Sequence, residues 1–439
     1  MNLKEEISQL LQTCEELSFV ESFLNDHPKA ELYLVGGAVR DILLKRKMKK
    51  MDFDFVIRLV DKEEIEKWFG DRGRIDFVGK TFGVYKFLPN GINLNEHSFV
   101  DIALPRTEQS NPQSLGGYKE FEIQSDLKLP IKKDLSRRDF TINAMAVNMR
   151  DGKLIDPFKG MKDLDQRIIR AVGKSKDRFN EDLSRMLRAI RFAAELNFTI
   201  EEKTLKSVRE TIERINETDE RGYIVPRETI GSELAKAFTR NPSQALVHLN
   251  STGGLDVFFE TDEALLKPIK SLTENNATLV VALLLRNLEK NNVAMKLQLT
   301  GLDSLPRESE LRIEPTDVLW LIARIQEKLN TQTIITMRAS KFETIFMNAR
   351  GKLFIQALQA LNEFSVLNSA TERIKKIRGL WKVEDDEPIP PLLSGNDVIN
   401  AGVSVGPKIR ELLDLLRDEQ LDGKIFTREQ AKEWLLKNC

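Results

Sequence analysis

The spacing of apolar residues changes from a strand-like pattern to a helical repeat at about residues 150–160, and this change constrains the fold most. Up to about residue 150 the apolar residues favour short strands. The predicted strands are AELYLVGG (30–37), MDFDFVIRLV (51–60), YKFLPNG (85–91), FVDIALP (99–105) and TINAMAVNM (141–149). From about residue 160 a helical repeat continues to the C-terminus, as in EDLSRMLRAIRFAAEL (181–196). The sequence therefore predicts an α+β protein, in which a mixed α/β head is followed by an all-helical remainder.

Clusters of charge, proline and glycine suggest where the domains end. Such clusters occupy residues 216–228 and 383–395, and they are typical of linkers. We therefore expect a head at 1–150, a helical neck at 151–240, a helical body at 241–385 and a helical tail at 386–439. The polar segment 106–130 is predicted to be a flexible loop within the head.

Composition narrows the class of protein. The 439 residues include 67 Lys and Arg against 68 Asp and Glu, so a nucleic-acid partner would have to be bound by local basic patches. Candidate patches are KRKMKK (45–50) and RMLRAIR (185–191). Two cysteines at opposite ends and three scattered histidines make a disulfide framework or a histidine-based metal site implausible. The apolar run LVVALLL (279–285) is too short to span a bilayer, and we expect a soluble, cytoplasmic protein.

The segment LVGGAVRD (34–41) places two glycines between a predicted strand and a predicted helix. Gly36 and Gly37 would let backbone N–H groups approach a phosphate closely, at the positive end of the helix dipole. Arg40, one turn later, could add a charge-assisted contact. A plain strand-to-helix turn is the alternative interpretation, and the glycines alone favour it.

Three aspartates give the turn a chemical context. Asp52 and Asp54 are one residue apart in a predicted strand, so their side chains project to the same face. Two neighbouring carboxylates repel each other unless a cation lies between them, and Mg²⁺ suits a few carboxylates plus substrate phosphates. Asp101 lies between apolar residues of another predicted strand and would complete the cluster if the two strands are adjacent. A phosphate cradle so close to a carboxylate pair is typical of metal-assisted nucleotidyl transfer.

A series of ordered segments resembles one known family. They are LVGGAVRD with DFDF, DIALPRTE (101–108), RRDFTINAMA (137–146), DPFKGMKDLDQRIIRAV (156–172), EDLSRMLRAIRFAAEL and VPRETIGSELAKAF (225–238). Together they resemble the class II tRNA nucleotidyltransferases, or CCA-adding enzymes, and the bacterial poly(A) polymerases. The segment 391–416 resembles the C-terminal part of the family more loosely.

The resemblance implies a fold and a set of roles. It implies a polymerase β-like nucleotidyltransferase head, in which Gly37 and Arg40 bind the nucleotide. Asp52 and Asp54 would hold Mg²⁺, and Asp101 would be the third, base-like carboxylate. The remaining implied nucleotide contacts are Arg138, Asp182, Arg185, Arg188 and Arg191.

The pair Asp182 and Arg185 can be examined on chemical grounds. The stripe of Leu183, Met186, Leu187, Ile190 and Ala194 predicts an amphipathic helix with the pair on its flank. Cytosine and adenine each present an amino donor beside a ring-nitrogen acceptor, which a carboxylate and a guanidinium can bind. Guanine and uracil present the reverse order. An ordinary i,i+3 ion pair is the alternative.

The predicted function is template-independent addition of CCA to the 3′ end of tRNA from CTP and ATP, with release of pyrophosphate. The helical body and tail would bind the acceptor arm of tRNA. The motifs of the head and neck leave open an enzyme that adds only C-C or only A, and a poly(A) polymerase. An inactive RNA-binding scaffold is disfavoured, because it has no reason to keep three uncompensated carboxylates together.

Overall fold

The computed structural model describes residues 3–46, 52–78, 84–92, 99–110, 121–220, 222–261, 263–306, 309, 311–384 and 387–439. Residues 47–50 of the predicted basic patch and 111–120 of the predicted loop lie outside these ranges. The chain forms two compact units: Met1–Ala237 with Gln244–Val257, and Phe238–Ser243 with Phe258–Cys439.

Among the described residues, the strands lie in the first unit. They are β1 Glu31–Val35, β2 Asp54–Arg58, β3 Gly73–Val78, β4 Val84–Pro89, β5 Val100–Ala103, β6 Arg106–Ser110, β7 Phe121–Ser125, β8 Ala146–Asn148, β9 Leu154–Ile155, β10 Ile168–Ile169, β11 Thr199–Ile200, β12 Thr218–Asp219 and β13 Gly222–Tyr223.

The α-helices begin before the first strand and continue to the C-terminus. They are α1 Leu3–Thr13, α2 Phe19–Asp26, α3 Gly37–Leu43, α4 Lys62–Gly70, α5 Ile131–Ser136, α6 Gly160–Asp165, α7 Ser175–Glu181, α8 Ser184–Leu196, α9 Glu202–Thr211, α10 Arg227–Arg240, α11 Pro242–Thr252, α12 Gly254–Phe259, α13 Lys267–Lys270, α14 Ala277–Leu285, α15 Lys290–Thr300, α16 Pro315–Gln326, α17 Thr331–Thr336, α18 Ala339–Phe346, α19 Ala349–Ala360, α20 Phe364–Trp381, α21 Gly395–Asn400, α22 Pro407–Leu421 and α23 Arg428–Asn438. Short 3₁₀ turns occupy Glu15–Leu17, Thr141–Asn143, Ile212–Asn216 and Glu263–Leu265.

The main sheet of the first unit is mixed. Within the described residues its strand order is β3-β4-β5-β2-β1-β8-β9. Strands β2 and β5 are parallel neighbours, whereas β1 pairs antiparallel with β2 and β8. This arrangement confirms the predicted mixed head, and it places Asp54 directly opposite Asp101.

The two faces of β2 explain where its polar residues lie. Phe55 is buried and packs edge-on against Phe19 of α2, in an aromatic core that also contains Phe69 and Phe87. Val56 points to the other face and joins a cluster with residues of β1, β8 and α5. Because side chains alternate along a strand, Asp54 shares the face of Val56. At Asp54 this face borders an open cavity rather than the core.

Two predictions for the first unit need correction. The segment 106–130 is not simply a loop, because β6 and β7 pair antiparallel within it. The predicted helix 181–196 is interrupted, with α7 ending at Glu181 and α8 starting at Ser184. The break occurs at Asp182, whose backbone is extended and whose carboxylate accepts a hydrogen bond from the Ser184 amide at 2.9 Å.

The second unit is helical in its described residues. Helix α14 is apolar on all sides and, apart from Thr278, buried, as expected for the central helix of a bundle. Helices α16 and α19 contact it. Helices α21, α22 and α23 share a local core that includes Val398, Leu412 and Leu435. None of the helices in the described ranges is long and apolar enough to cross a membrane.

Candidate active site

A cavity of about 600 Å³ opens in the first unit beside the ends of β1, β2 and β5. Most of the residues that the sequence singled out line it. These are Gly36, Gly37, Arg40, Asp52, Asp54, Asp101, Arg138, Asp182, Arg185 and Arg188.

The three predicted carboxylates all face the cavity. Asp54 and Asp101 are opposed across the parallel pair β2–β5. Asp52 precedes β2 rather than lying within it, and it is exposed. The Lys86 ammonium lies 3.1 Å from Asp101 Oδ1 and partly offsets the negative charge.

The carboxyl group of Asp54 is electrostatically strained. Burial raises the pKa of Asp54, Arg138 lowers it, and the negative charges of Asp101 and Asp52 raise it again, so that the pKa is about 6. A site that disfavours the ionised form of a carboxyl group gains most when a cation arrives. The physical environment of Asp54 is therefore that of a cation ligand.

A divalent cation fits these side chains. In the described part of the chain, no three His, Cys, Asp or Glu side chains form a ready-made metal cage. Mg²⁺, however, takes one or two protein carboxylates and completes its octahedron with water and substrate phosphates. Asp52 and Asp54 supply such a pair, beside a cavity with room for a phosphate-bearing ligand.

The glycine turn lies against an arginine. Gly36 has a φ of +76°, which side-chain-bearing residues rarely adopt, and a Cβ added there would lie 2.7 Å from Arg138 Nη1. The same Cβ would lie 3.4 Å from Asp54 Oδ2. Gly36 therefore brings the turn, Arg138 and a carboxylate oxygen together at one wall of the cavity.

Arg40 lines the cavity but is bound within the protein. Its guanidinium donates to both oxygens of Asp41, at 3.0 and 2.8 Å, and to Asn143 Oδ1 at 2.9 Å. It also lies over the Phe192 ring, 4.9 Å from the centroid. Arg40 thus fixes helix α3 against the rest of the site, a role that the sequence did not indicate.

Asp182 and Arg185 meet at the entrance to α8. Asp182 Oδ1 accepts from the amide and the hydroxyl of Ser184, at 2.9 and 2.6 Å, and its Oδ2 lies 3.8 Å from Arg185 Nε. Burial raises the pKa of Asp182, and Arg185 partly offsets this effect. Arg185 also donates to Glu181 Oε2 at 3.0 Å and to the Arg137 carbonyl at 3.2 Å. Both side chains are held in place and face the cavity.

A second acid–base pair lies beside the first. Arg188 donates to Asp139 Oδ2 at 2.8 Å, and Asn143 Nδ2 donates to Asp139 Oδ1 at 3.1 Å. Burial alone would raise the pKa of Asp139, but Arg188 and Asn143 outweigh it and the pKa falls to about 2. Asp139 is therefore ionised at neutral pH and fixes Arg188.

Arg191 corrects one sequence prediction. It does not line the cavity, because its guanidinium pairs with Glu233 at 2.5 Å and with Glu195 at 3.1 Å. It also stacks on Phe192, 3.8 Å from the ring centroid. These contacts hold α8 against α10, and they place the Arg191 guanidinium outside the cavity lining rather than among the arginines of the cavity.

Sequence reasoning missed several cavity residues. They are Asp41, Arg106, Arg137, Asp139, Asn143 and Phe192. Three of them, at 137, 139 and 143, belong to the RRDFTINAMA segment that carried the resemblance. The doubled arginine was the available signal for Arg137.

Comparison with known proteins agrees with this geometry. The model of the poly(A) polymerase head domain family matches residues 32–170. The multifunctional CCA protein of Neisseria gonorrhoeae is 38% identical over 237 residues, which are 54% of this chain and 51% of that protein. The chain thus spans about half the length of the first curated relatives it matches.

Two further comparisons extend over almost the whole chain. The CCA-adding enzyme of Levilactobacillus brevis is 27% identical over 429 residues, 96% of this chain and 94% of that protein. A crystal structure of the Bacillus stearothermophilus CCA-adding enzyme in complex with CTP covers 97% of both chains, with a TM-score of 0.68 at 21% identity. The resemblance expected from the sequence is confirmed: residues 32–170 match the poly(A) polymerase head domain, and the chain has the fold of the CCA-adding enzymes.

Proposed function

We propose that this protein is a template-independent, Mg²⁺-dependent nucleotidyltransferase that adds CCA to the 3′ end of tRNA. The substrates are CTP and ATP, and pyrophosphate is the by-product. One observation carries the proposal: three carboxylates and the Asp182–Arg185 pair line the same cavity. The three carboxylates suit phosphoryl transfer, and the Asp182–Arg185 pair suits recognition of a base.

Asp52, Asp54 and Asp101, which we call the carboxylate wall, would form the reaction centre. Asp52 and Asp54 would hold Mg²⁺, which, when bound, stabilises negative charge on the triphosphate and polarises the attacking hydroxyl. Asp101, opposite Asp54 on β5, would accept the proton of the tRNA 3′-hydroxyl. Gly36, Gly37 and Arg138 line the same wall and would hold the triphosphate.

Asp182 and Arg185, at the N-terminal end of α8, would select the base. Asp182 would accept a hydrogen bond from the amino group of cytosine or adenine, and Arg185 would donate to the neighbouring ring nitrogen. Uracil and guanine would leave a charged group unpaired, which costs more than a lost neutral contact. Arg188, fixed by Asp139 at 2.8 Å, adds positive charge to this end of the cavity.

The names of the relatives support the product. Proteins named CCA-adding enzyme match almost the whole chain, and one of them was crystallised with CTP. We propose a cytoplasmic enzyme with the catalytic head at 1–150 and the base-reading neck at 151–240. The body at 241–385 and the tail at 386–439 would bind the acceptor arm of tRNA by phosphate contacts and shape.

The experiment uses the full chain and three tRNAs, which end before C74, C75 or A76 in tRNA numbering. Each is incubated with Mg²⁺ and with CTP, ATP or both, and the 3′ ends of the products are sequenced. We expect each tRNA to be completed to CCA and then left unchanged. Long A tails would identify a poly(A) polymerase instead. Products that stop at CC, or begin only from CC, would identify an enzyme of partial specificity.

A further inference from the structure

Behind the cavity wall lies a carboxylate that no substrate could touch directly. Asp134, on helix α5, is fully buried and does not line the cavity. Its Oδ1 accepts from Arg137 Nε at 3.0 Å and lies 3.0 Å from Arg137 Nη2. Its Oδ2 lies 3.7 Å from Arg138 Nη2. The Arg106 amide is 3.4 Å from Oδ1.

The partners of Asp134 all line the cavity. Arg106, Arg137 and Arg138 line it, whereas the carboxylate that connects them lies underneath. The Arg138 side chain extends to the glycine turn, where its Nη1 lies against Gly36. The buried Nε of Arg138 has no hydrogen-bond partner among the described residues. Asp134 Oδ2 also has no hydrogen-bond partner among the described residues, so its contact with Arg138 is an ion pair without a hydrogen bond.

Burying a charged carboxylate is expensive unless it is paired. A pair used only for stability gains little over apolar residues of similar size. A guanidinium that must meet phosphate oxygens, by contrast, benefits from being held in advance, because its planar set of donors requires a defined orientation. Asp134 is buried and contacts two arginines of the cavity, which fits a carboxylate that holds guanidinium groups in position for phosphate oxygens.

We propose that Asp134 is a positioning residue, which orients Arg137 and Arg138 towards the triphosphate of the incoming nucleotide. This inference rests on the proposed function, because it assigns the arginine wall to a nucleoside triphosphate. Asp134 acts on the phosphates and not on the base, because it holds the side chain of Arg137, whereas Arg185 contacts Arg137 at its backbone carbonyl, at 3.2 Å. Loss of Asp134 should therefore weaken triphosphate binding and leave the choice of base unchanged.

The test measures binding of inorganic tripolyphosphate to the full chain by titration calorimetry. Asp134→Asn keeps the shape of the side chain and removes its charge. Asp163→Asn is the matched control, because Asp163 is also buried and pairs with an arginine, Arg170 at 3.1 Å, that does not line the cavity. We expect Asp134→Asn to raise the Kd for tripolyphosphate by about 10-fold or more, the effect of one lost charge-assisted contact. Asp163→Asn should leave it within about twofold.

A double-mutant cycle with Arg137→Gln separates positioning from general stability. If Asp134 acts through Arg137, Asp134→Asn should have a much smaller effect on tripolyphosphate affinity once Arg137 is removed. The kcat/KM ratio of CTP to UTP should not change in Asp134→Asn. Should Asp134→Asn fail to fold, Asp134→Glu provides the test, because it keeps the charge and moves the carboxylate relative to Arg137; it should also weaken tripolyphosphate binding, and unchanged affinity would contradict the positioning role.

Two negative results have different meanings. If the wild-type chain binds tripolyphosphate and Asp134→Asn binds it as tightly, or if the cycle is additive, Asp134 is not a positioning residue. If the wild-type chain binds neither tripolyphosphate nor CTP, the proposed function itself fails, and the inference fails with it.

Discussion

At the scale of single residues, the environment of Asp54 leads to the first prediction. Asp54→Asn keeps the side chain's shape and removes one of the two proposed cation ligands. Nucleotide addition should fall by at least about 1,000-fold, because the charge on the transferring phosphoryl group loses its main stabilising partner. The midpoint temperature of unfolding should not fall, because burial and the neighbouring carboxylates already disfavour the ionised form of Asp54.

The control for Asp54→Asn is Asp76→Asn. Asp76 lies on β3 of the same sheet, pairs with Arg74 and does not line the cavity. Initial rates of CTP incorporation into a tRNA lacking CCA provide the measurement. Wild-type turnover by Asp54→Asn would remove the metal assignment.

The base-reading pair gives a second prediction. Asp182→Ala removes the proposed acceptor for the amino group of C or A but leaves Arg185 and the carboxylate wall in place. Selectivity for CTP over UTP should fall by about 5- to 150-fold in relative kcat/KM, the value of one good base contact of roughly 1–3 kcal/mol. Metal dependence should be unchanged. Unaltered selectivity would mean that Asp182 only terminates α7 and pairs with Arg185.

The buried pair of Asp139 and Arg188 gives a prediction about pH. The pKa of Asp139 is lowered to about 2, against an ordinary value near 4. A carboxyl group with a lowered pKa stabilises the folded state above its ordinary pKa, and this contribution disappears as the pH falls towards 2. Its size is about 2 kcal/mol by linkage. Asp139→Asn should therefore be clearly less stable than wild type at pH 7.

Urea unfolding of wild type and Asp139→Asn, at several pH values from 7 to 3, measures this contribution. We expect the difference in free energy of unfolding to narrow below about pH 4. A difference that stays constant down to pH 3 would show that the ion pair does not control the titration of Asp139.

At the scale of elements, the turn between β1 and α3 can be tested with two glycines. Gly36 and Gly173 both have a positive φ, at +76° and +74°, so an alanine at either position carries a similar backbone strain of about 1 kcal/mol. A Cβ at Gly36 would lie 2.7 Å from Arg138 Nη1, whereas one at Gly173 meets nothing within 4 Å. Both alanine variants should lose stability equally, but only Gly36→Ala should also displace Arg138.

The measurement compares CTP affinity in the two variants. Gly36→Ala should weaken CTP binding by about 10-fold, the effect of one misplaced charged contact, and Gly173→Ala should bind normally. Equal CTP affinity would show that Arg138 can shift without harm to the site.

The elements also show which parts of the site could be predicted. Alternation within DFDF puts Phe53 and Phe55 on the face opposite Asp54, and both are buried. Asp101 next to Asp54 followed from the same reasoning, once the two strands were taken as neighbours. The face on which each side chain lies depends on local periodicity, which the sequence displays directly, whereas the pairing of β2 with β5 comes from the tertiary structure.

Other features depend on partners far away in the chain. Arg191 looked like another cavity arginine, but Glu233, 42 residues later, binds it. Asp182 was expected inside a helix, but its carboxylate binds the Ser184 amide and the helix breaks there. Asp134 was not singled out, because nothing in DLSRR shows that its side chain would be buried beneath Arg137 and Arg138. Tertiary pairing of charges leaves no periodic trace in the sequence.

At the scale of the whole molecule, total charge conceals the distribution of charge. The net charge is −1, yet the cavity of the first unit is lined by Arg40, Arg106, Arg137, Arg138, Arg185 and Arg188. Buried or adjacent carboxylates hold several of these arginines, such as Asp134 for Arg137 and Asp139 for Arg188. A near-neutral total is therefore compatible with binding of a polyanion, because arginines gather at one cavity. Of the carboxylates that pair with them, Asp134 is buried outside the cavity lining, whereas Asp41, Asp139 and Asp182 line the cavity as well.

This distribution gives the last prediction, which concerns tRNA. Lysines and arginines that contact phosphates displace bound counterions, so affinity falls as salt rises, with a slope in log–log form of roughly 0.7–0.9 per phosphate contact. The chain should show a slope of at least about 3 for tRNA, despite its net charge near zero. Filter binding of a tRNA lacking CCA, from 50 to 300 mM KCl at constant Mg²⁺, provides the measurement. CTP binding over the same range is the control and should be less sensitive, because a single nucleotide offers fewer phosphates. If tRNA binding is as insensitive to salt as CTP binding, phosphate contacts do not hold the tRNA, and the proposed role of the helical body and tail is wrong.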